Sequence, residues 1–130
     1  MASELRVTTI ANNAGTESVD TTYVVNGSAK AWVNIEGEGT IAVRDSFNNS
    51  SIVDRADGRY TTTVTNAMNN ANYSVFYTGQ KSGANDDGYV LGGIGTGGIS
   101  ATAVQITTQI GSSGPDDIPT VNVANHGDLA

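Results

Sequence analysis

The sequence predicts an all-β protein, an antiparallel β-sandwich or Greek-key barrel of about nine short strands. Apolar residues recur mainly with a period of two, which places them on one face of a strand. Threonine, a strand former, is abundant within these runs, while Gly, Asn and Ser, which favour turns, separate them. Leucine occurs only at positions 5, 91 and 129, leaving almost nothing to line a helix.

Leu5, Val7 and Thr9 alternate with Arg6 and Thr8, predicting a first strand over about residues 4–10 that Asn12-Asn13-Ala14-Gly15 ends. Thr21 to Val25 reads as a short second strand, closed by the turn dipeptide Asn26-Gly27. In the next run Ala31, Val33 and Ile35 share one face, and Trp32 and Asn34 share the other. Gly37-Glu38-Gly39 turns the chain into Thr40 to Asp45, with Ile41 and Val43 inward and Arg44 outward, so the pair reads as a hairpin. Ser51 to Val53 and Tyr60 to Thr65 flank Asp57-Gly58, a second hairpin signal, with Tyr60, Thr62 and Val64 on one face. Tyr73, Val75 and Tyr77 line one face of the following strand and Phe76 the other, a pattern that predicts cover on both sides, the second by another subunit. Val104, Ile106 and Thr108 alternate with Gln105, Thr107 and Gln109 as a half-exposed strand, and Val121 and Val123 mark a last one after Pro119. Ala67 to Ala71 is too short and Asn-rich to count as a helix.

At 130 residues there is room for one domain core, and hydrophobic residues at 38% with aromatics at 6% supply it thinly. Such a shortage is relieved when subunits share a core, so the composition predicts oligomerisation. The formal charge is −7, and the six basic residues, Arg6, Lys30, Arg44, Arg55, Arg59 and Lys81, form no cluster. Nucleic acid and anionic membrane surfaces both demand a basic footprint, so neither is an expected partner. Without cysteine there is no disulfide or thiolate metal site, which fits synthesis in a reducing cytoplasm. No apolar run reaches the length of a membrane-spanning helix, and Met1 to Arg6 lacks the pattern of a signal peptide. The sequons at Asn26, Asn48, Asn49 and Asn72 reflect the abundance of Asn and Ser.

Several stretches imitate functional motifs. Gly93-Ile94-Gly95-Thr96-Gly97-Gly98 has the spacing of a dinucleotide-binding loop, but Thr-rich alternation follows it instead of a helix whose amides could meet a pyrophosphate. It reads as a flexible or closely packed loop. Asn85-Asp86-Asp87-Gly88 and Asp116-Asp117 lack the alternating ligand register of a calcium loop and read as solvated turns. His126 has Asp128 beside it and no second histidine to complete a metal site. No nucleophile-elbow pattern accompanies the many serines, and no carboxylate pair stands out among thirteen acids. The expectation is a non-enzymatic protein without cofactor or metal.

The tract Lys30-Ala31-Trp32-Val33-Asn34, Arg44-Asp45-Ser46-Phe47-Asn48, Ser50 to Asp54, Gly58, Tyr60, Asn66-Ala67-Met68 and Asn72-Tyr73 resembles the recurring module of marine and freshwater phage tail-fibre proteins. The opening Leu5 to Ile10 with Asn13-Ala14-Gly15 is similar to the amino-terminal segment of such fibres, and Val121 to Ala124 to their closing strand. The likeness is strong over 30–75 and weak over 80–120, with departures at Arg55-Ala56, Arg59, Asn69 (often proline in the family) and Asn125-His126. The resemblance implies a virion-surface part, commonly a homotrimer with a β-rich knob. With no heptads or collagen-like repeat to make a shaft, residues 1–27 read as an extended attachment arm and 28–130 as the knob. That economy suits a capsid decoration or cement protein bound to phage coat protein, with Leu5, Val7 and Ile10 as the partner contact or, equally, the first strand of the domain's own core. The alternative is a short tail fibre or knob, docked to a tail protein, that recognises a host receptor through loops at Thr78 to Asp87 and Gly92 to Gly98, with Tyr89 between them.

Overall fold

The structure is a computed structural model that describes residues 3, 5–81, 90–111 and 114–130, the side chains of residues 90 and 91 excepted. In chain order the elements are β1 (Thr9–Ala11), β2 (Ser18–Asp20), α1 (Thr21–Gly27), β3 (Ala31–Glu36), β4 (Ala42–Phe47), β5 (Asn49–Ala56), β6 (Arg59–Val64), β7 (Ser74–Gln80), β8 (Val90–Ile99), β9 (Ala103–Ile110) and β10 (Thr120–His126). Two four-stranded antiparallel sheets, ordered β4-β3-β10-β7 and β5-β6-β9-β8, form a sandwich, and β1 and β2 make a separate hairpin.

The core lies between the sheets. Val33 and Ile35 of β3 and Val121 and Val123 of β10 meet Tyr60 of β6 and Val104 and Ile106 of β9, with Met68, Tyr73 and Ile118 closing the ends. The period-two readings of β3, β6, β9 and β10 therefore hold, because each strand has one face on this core. Both expected hairpins form, β3 with β4 and β5 with β6. Ile41 packs against the core, but Val43, although paired with Ile35, sits on an edge strand and is half exposed.

Three elements differ from the sequence reading. Thr21 to Val25 lies in a helix: Asp20 Oδ1 accepts from the Thr22 amide at 2.7 Å, capping α1 at its start, and Asn26-Gly27 ends it. A capped turn has overridden the strand preference of Val24 and Val25. The first strand is confined to Thr9–Ala11 and pairs with β2 across the Asn12 turn, where Asn12 Oδ1 accepts from the Thr16 amide at 3.0 Å. The glycine-rich tract lies within β8, which pairs with β9 through Gly93 and Ile94 and again at Ile99, with Gly95 to Gly98 an irregularity between the paired stretches. Its glycines provide closeness: a Cβ on Gly92 would occupy the ring of Tyr77, and the side chain of Gln105 lies over Gly95 and Gly97.

Of Asp116-Asp117, expected to be a solvated turn, Asp116 is exposed, but Asp117 is built into the sandwich rim. Asp117 Oδ1 accepts from the Tyr60 hydroxyl at 2.8 Å and from the Gly58 amide at 2.7 Å. Burial, reinforced by this carboxylate, raises the Tyr60 phenol far above its ordinary value. The native state thus holds its proton more tightly than the unfolded chain. Stability from this source is complete below about pH 10 and is lost as pH rises towards the raised native value. Urea midpoints compared at about pH 8 and about pH 11 should fall for the wild type and fall less for Tyr60→Phe, which has no phenol to ionise. The slope should shrink rather than vanish, since burial also raises Tyr73. An equal fall in both proteins would contradict this account.

Candidate functional site

The outer face of the β4-β3-β10-β7 sheet carries the side chains that the core rejects. Register brings Phe47, Trp32, Ala124 and Phe76 into one row across its strands. Phe76 is 61% exposed and Trp32 37%, with Phe47 exposed beside it, so the far side of β7, expected to be covered, is open in the single chain. Since strands lie about 4.8 Å apart, Trp32 on β3 and Phe76 on β7 rise from backbones about 10 Å apart, with small Ala124 on β10 as the floor between them. The result is a groove of about 220 Å³. His126 meets the Phe76 ring edge-on, at 5.3 Å between centroids, bracing one wall.

Two residues along each strand, the face turns polar. Asn34 Nδ2 donates to Asn122 Oδ1, and Asn122 Nδ2 donates to Thr78 Oγ1 at 3.2 Å, a relay across β3, β10 and β7. Beyond it Arg44 pairs with Glu36 and donates to Thr120 Oγ1 at 2.8 Å. The groove lining itself is uncharged and backed by amides, while Asp45 stands in register beside Asn34 at the edge of the amide row and the Arg44–Glu36 pair lies beyond it.

The second candidate surface is the amino-terminal unit. Leu5, at 84% exposure, and Val7 and Ile10 join Arg6, Thr21, Val24 and Val25 around an open hollow of about 460 Å³. α1 buries no residue, and all of its apolar side chains, Tyr23 included, face outward. Within this unit the Thr21 amide donates to Thr8 O at 2.9 Å and the Thr21 hydroxyl to Val7 O at 2.9 Å, and Lys30 Nζ, just before β3, donates to Val25 O of α1. Leu5, Val7 and Ile10 therefore come together, but on this hairpin and helix and not in the sandwich core.

The expected receptor loops fare differently. Thr78 to Gln80 belongs to β7 and Gly92 to Gly98 to β8, while Tyr89, Asn85-Asp86-Asp87-Gly88 and the rest of 82–89 lie outside the described residues. Among the described residues no three His, Asp or Glu side chains gather into a metal-binding group. The sequence carried a signal for the groove, since Trp32 and Phe76 each sit opposite a core-facing run. Pairing them across Ala124 depended on a register between segments some 40 to 90 residues apart, which local pattern cannot supply. Compared with known protein families, curated proteins and solved structures, the chain matches none.

Proposed function

We propose that this chain is a non-enzymatic structural protein of a bacteriophage virion, a homotrimeric capsid decoration protein whose sandwich is the knob and whose amino-terminal unit attaches it to coat-protein neighbours. The observation carrying this reading is the unpacked state of residues 5–27, where Leu5, Val7, Ile10, Val19, Tyr23, Val24 and Val25 are all exposed. A two-stranded hairpin and a seven-residue helix are each marginal alone in water, so a surface that covers their apolar side stabilises them. Sister chains or coat protein would supply that cover. The virion setting is supported by the likeness of residues 30–75 to phage fibre modules.

Deleting residues 1–12 removes β1 and most of the hollow without touching the sandwich. The expected product is a folded knob with an unfolding free energy within about 0.5 kcal/mol of the full chain that no longer incorporates into particles. Val25→Asp should act in the same direction by placing a charge in the contact. Normal incorporation of the truncated protein would overturn the proposal.

A second reading, a short tail fibre or knob that recognises a host receptor, is favoured by one observation, the open groove between Trp32 and Phe76. Adhesion of the purified protein to host cells with inhibition of infection supports this reading. Binding confined to expanded capsids, with a higher rupture temperature, supports decoration.

A further inference from the structure

We infer that the groove between Trp32 and Phe76 is a binding site for a neutral sugar, one pyranose ring held between the two aromatic side chains. Three features lead there. The first is shape: two rings on strands separated by β10 flank a floor made of Ala124, leaving a slot with room for a single ring. The C–H faces of a pyranose are apolar and suit aromatic walls, as any small ligand site pairs apolar walls with a few placed polar groups.

The second is the rear wall. The relay from Asn34 through Asn122 to Thr78 fixes both amides, so the groove meets set donors and acceptors rather than rotating ones. Thr78 Oγ1 accepts within the relay and keeps its own proton, and Asn122 Nδ2 keeps a second hydrogen. Among the described residues no further hydrogen bond consumes either. Two donors beside an aromatic pair match the ring and hydroxyl oxygens of a sugar.

The third is charge. The groove lining carries none, and the chain as a whole carries −7, which repels acidic ligands. A neutral polyol fits this field better than a sialic acid or a sulfated glycan. The relay also argues against a flat apolar partner, including a second copy of this face, which would bury those donors without partners.

Trp32 is the chain's only tryptophan, so its fluorescence reports on this site alone. The full chain would be titrated with the methyl glycosides of glucose, galactose, mannose and N-acetylglucosamine, and with sialic acid as the charged comparison. The expected result is a saturable change in Trp32 emission with at least one neutral glycoside and none with sialic acid. Phe76→Ala, which removes a wall, and Ala124→Leu, which fills the floor, should each weaken binding about tenfold or more while keeping the urea midpoint. Emission unmoved by every neutral glycoside, or a response that survives both substitutions, would overturn the assignment. So would emission that follows protein concentration in step with sedimentation, since a second copy would then occupy the groove. Particle incorporation is tested at residues 1–12 and sugar binding at Phe76 and Ala124, so either reading can fail without the other.

Discussion

Gly58→Ala should lower the stability of the sandwich by about 3 kcal/mol, the sum of a strained backbone and an overpacked junction. Gly58 closes the β5–β6 hairpin with φ +61°, a conformation that costs an L-residue about 1 kcal/mol. A methyl group there would lie 2.6 Å from Thr108 O and 2.7 Å from Asp116 O, and against the Asp116 amide as well. These are backbone atoms and cannot swing aside. Three segments converge at this point: the Gly58 carbonyl accepts from the Thr108 amide at 2.7 Å, and the Asp116 amide donates to Thr108 O at 3.1 Å. Displacing one would disturb the others and the Asp117 contact with Tyr60. Against a typical total of about 5–15 kcal/mol, the loss is a large fraction. Urea unfolding of the purified variant gives the number. Gly58→Asn separates the causes, since asparagine tolerates positive φ but brings the same Cβ. A near-native Gly58→Asn would mean that crowding costs less than backbone strain.

Asn48→Ala should cost nearly as much, about 3 kcal/mol, for a different reason. A single residue carries the chain from β4 in one sheet to β5 in the other, and it is the one described non-glycine residue at positive φ, +52°. Its side chain staples the crossing: Nδ2 donates to Lys30 O at 2.9 Å and to Asn66 O at 3.2 Å, and Oδ1 accepts from the Asn66 amide at 2.8 Å. Alanine loses these bonds and retains the strained φ. Glycine loses the bonds but relieves the strain, so Asn48→Gly should fall short of Asn48→Ala by about 1 kcal/mol. Equal losses in the two variants would show that backbone conformation contributes nothing at this crossing.

These two positions show where local pattern reaches its limit. Asp57-Gly58 is legible as a turn because the dipeptide encodes its own geometry. Its crowding against Asp116 is not, since that loop arrives some 58 residues later. Asn48 is visible only as part of a sequon, while the groups it binds come from Lys30 and Asn66. Asp117 looks solvated for the same reason: its partner Tyr60 is distant in the chain. Val24 and Val25 point to a strand that does not form, because propensity is a weak prior in a short segment and the Asp20 cap decides it. The glycines of β8 suggest a loop because their partners, Tyr77 and Gln105, lie on other strands.

What the sequence settled by itself was the all-β class and the inward face of the central strands, since alternation is a property of neighbouring residues and survives any arrangement of the sheets. What only the tertiary structure decided was the order β4-β3-β10-β7, and with it the row from Phe47 through Trp32 and Ala124 to Phe76. Strand order and register arise from long-range pairing. Shifting one strand by a single residue would turn its exposed side chains to the opposite face and close the groove.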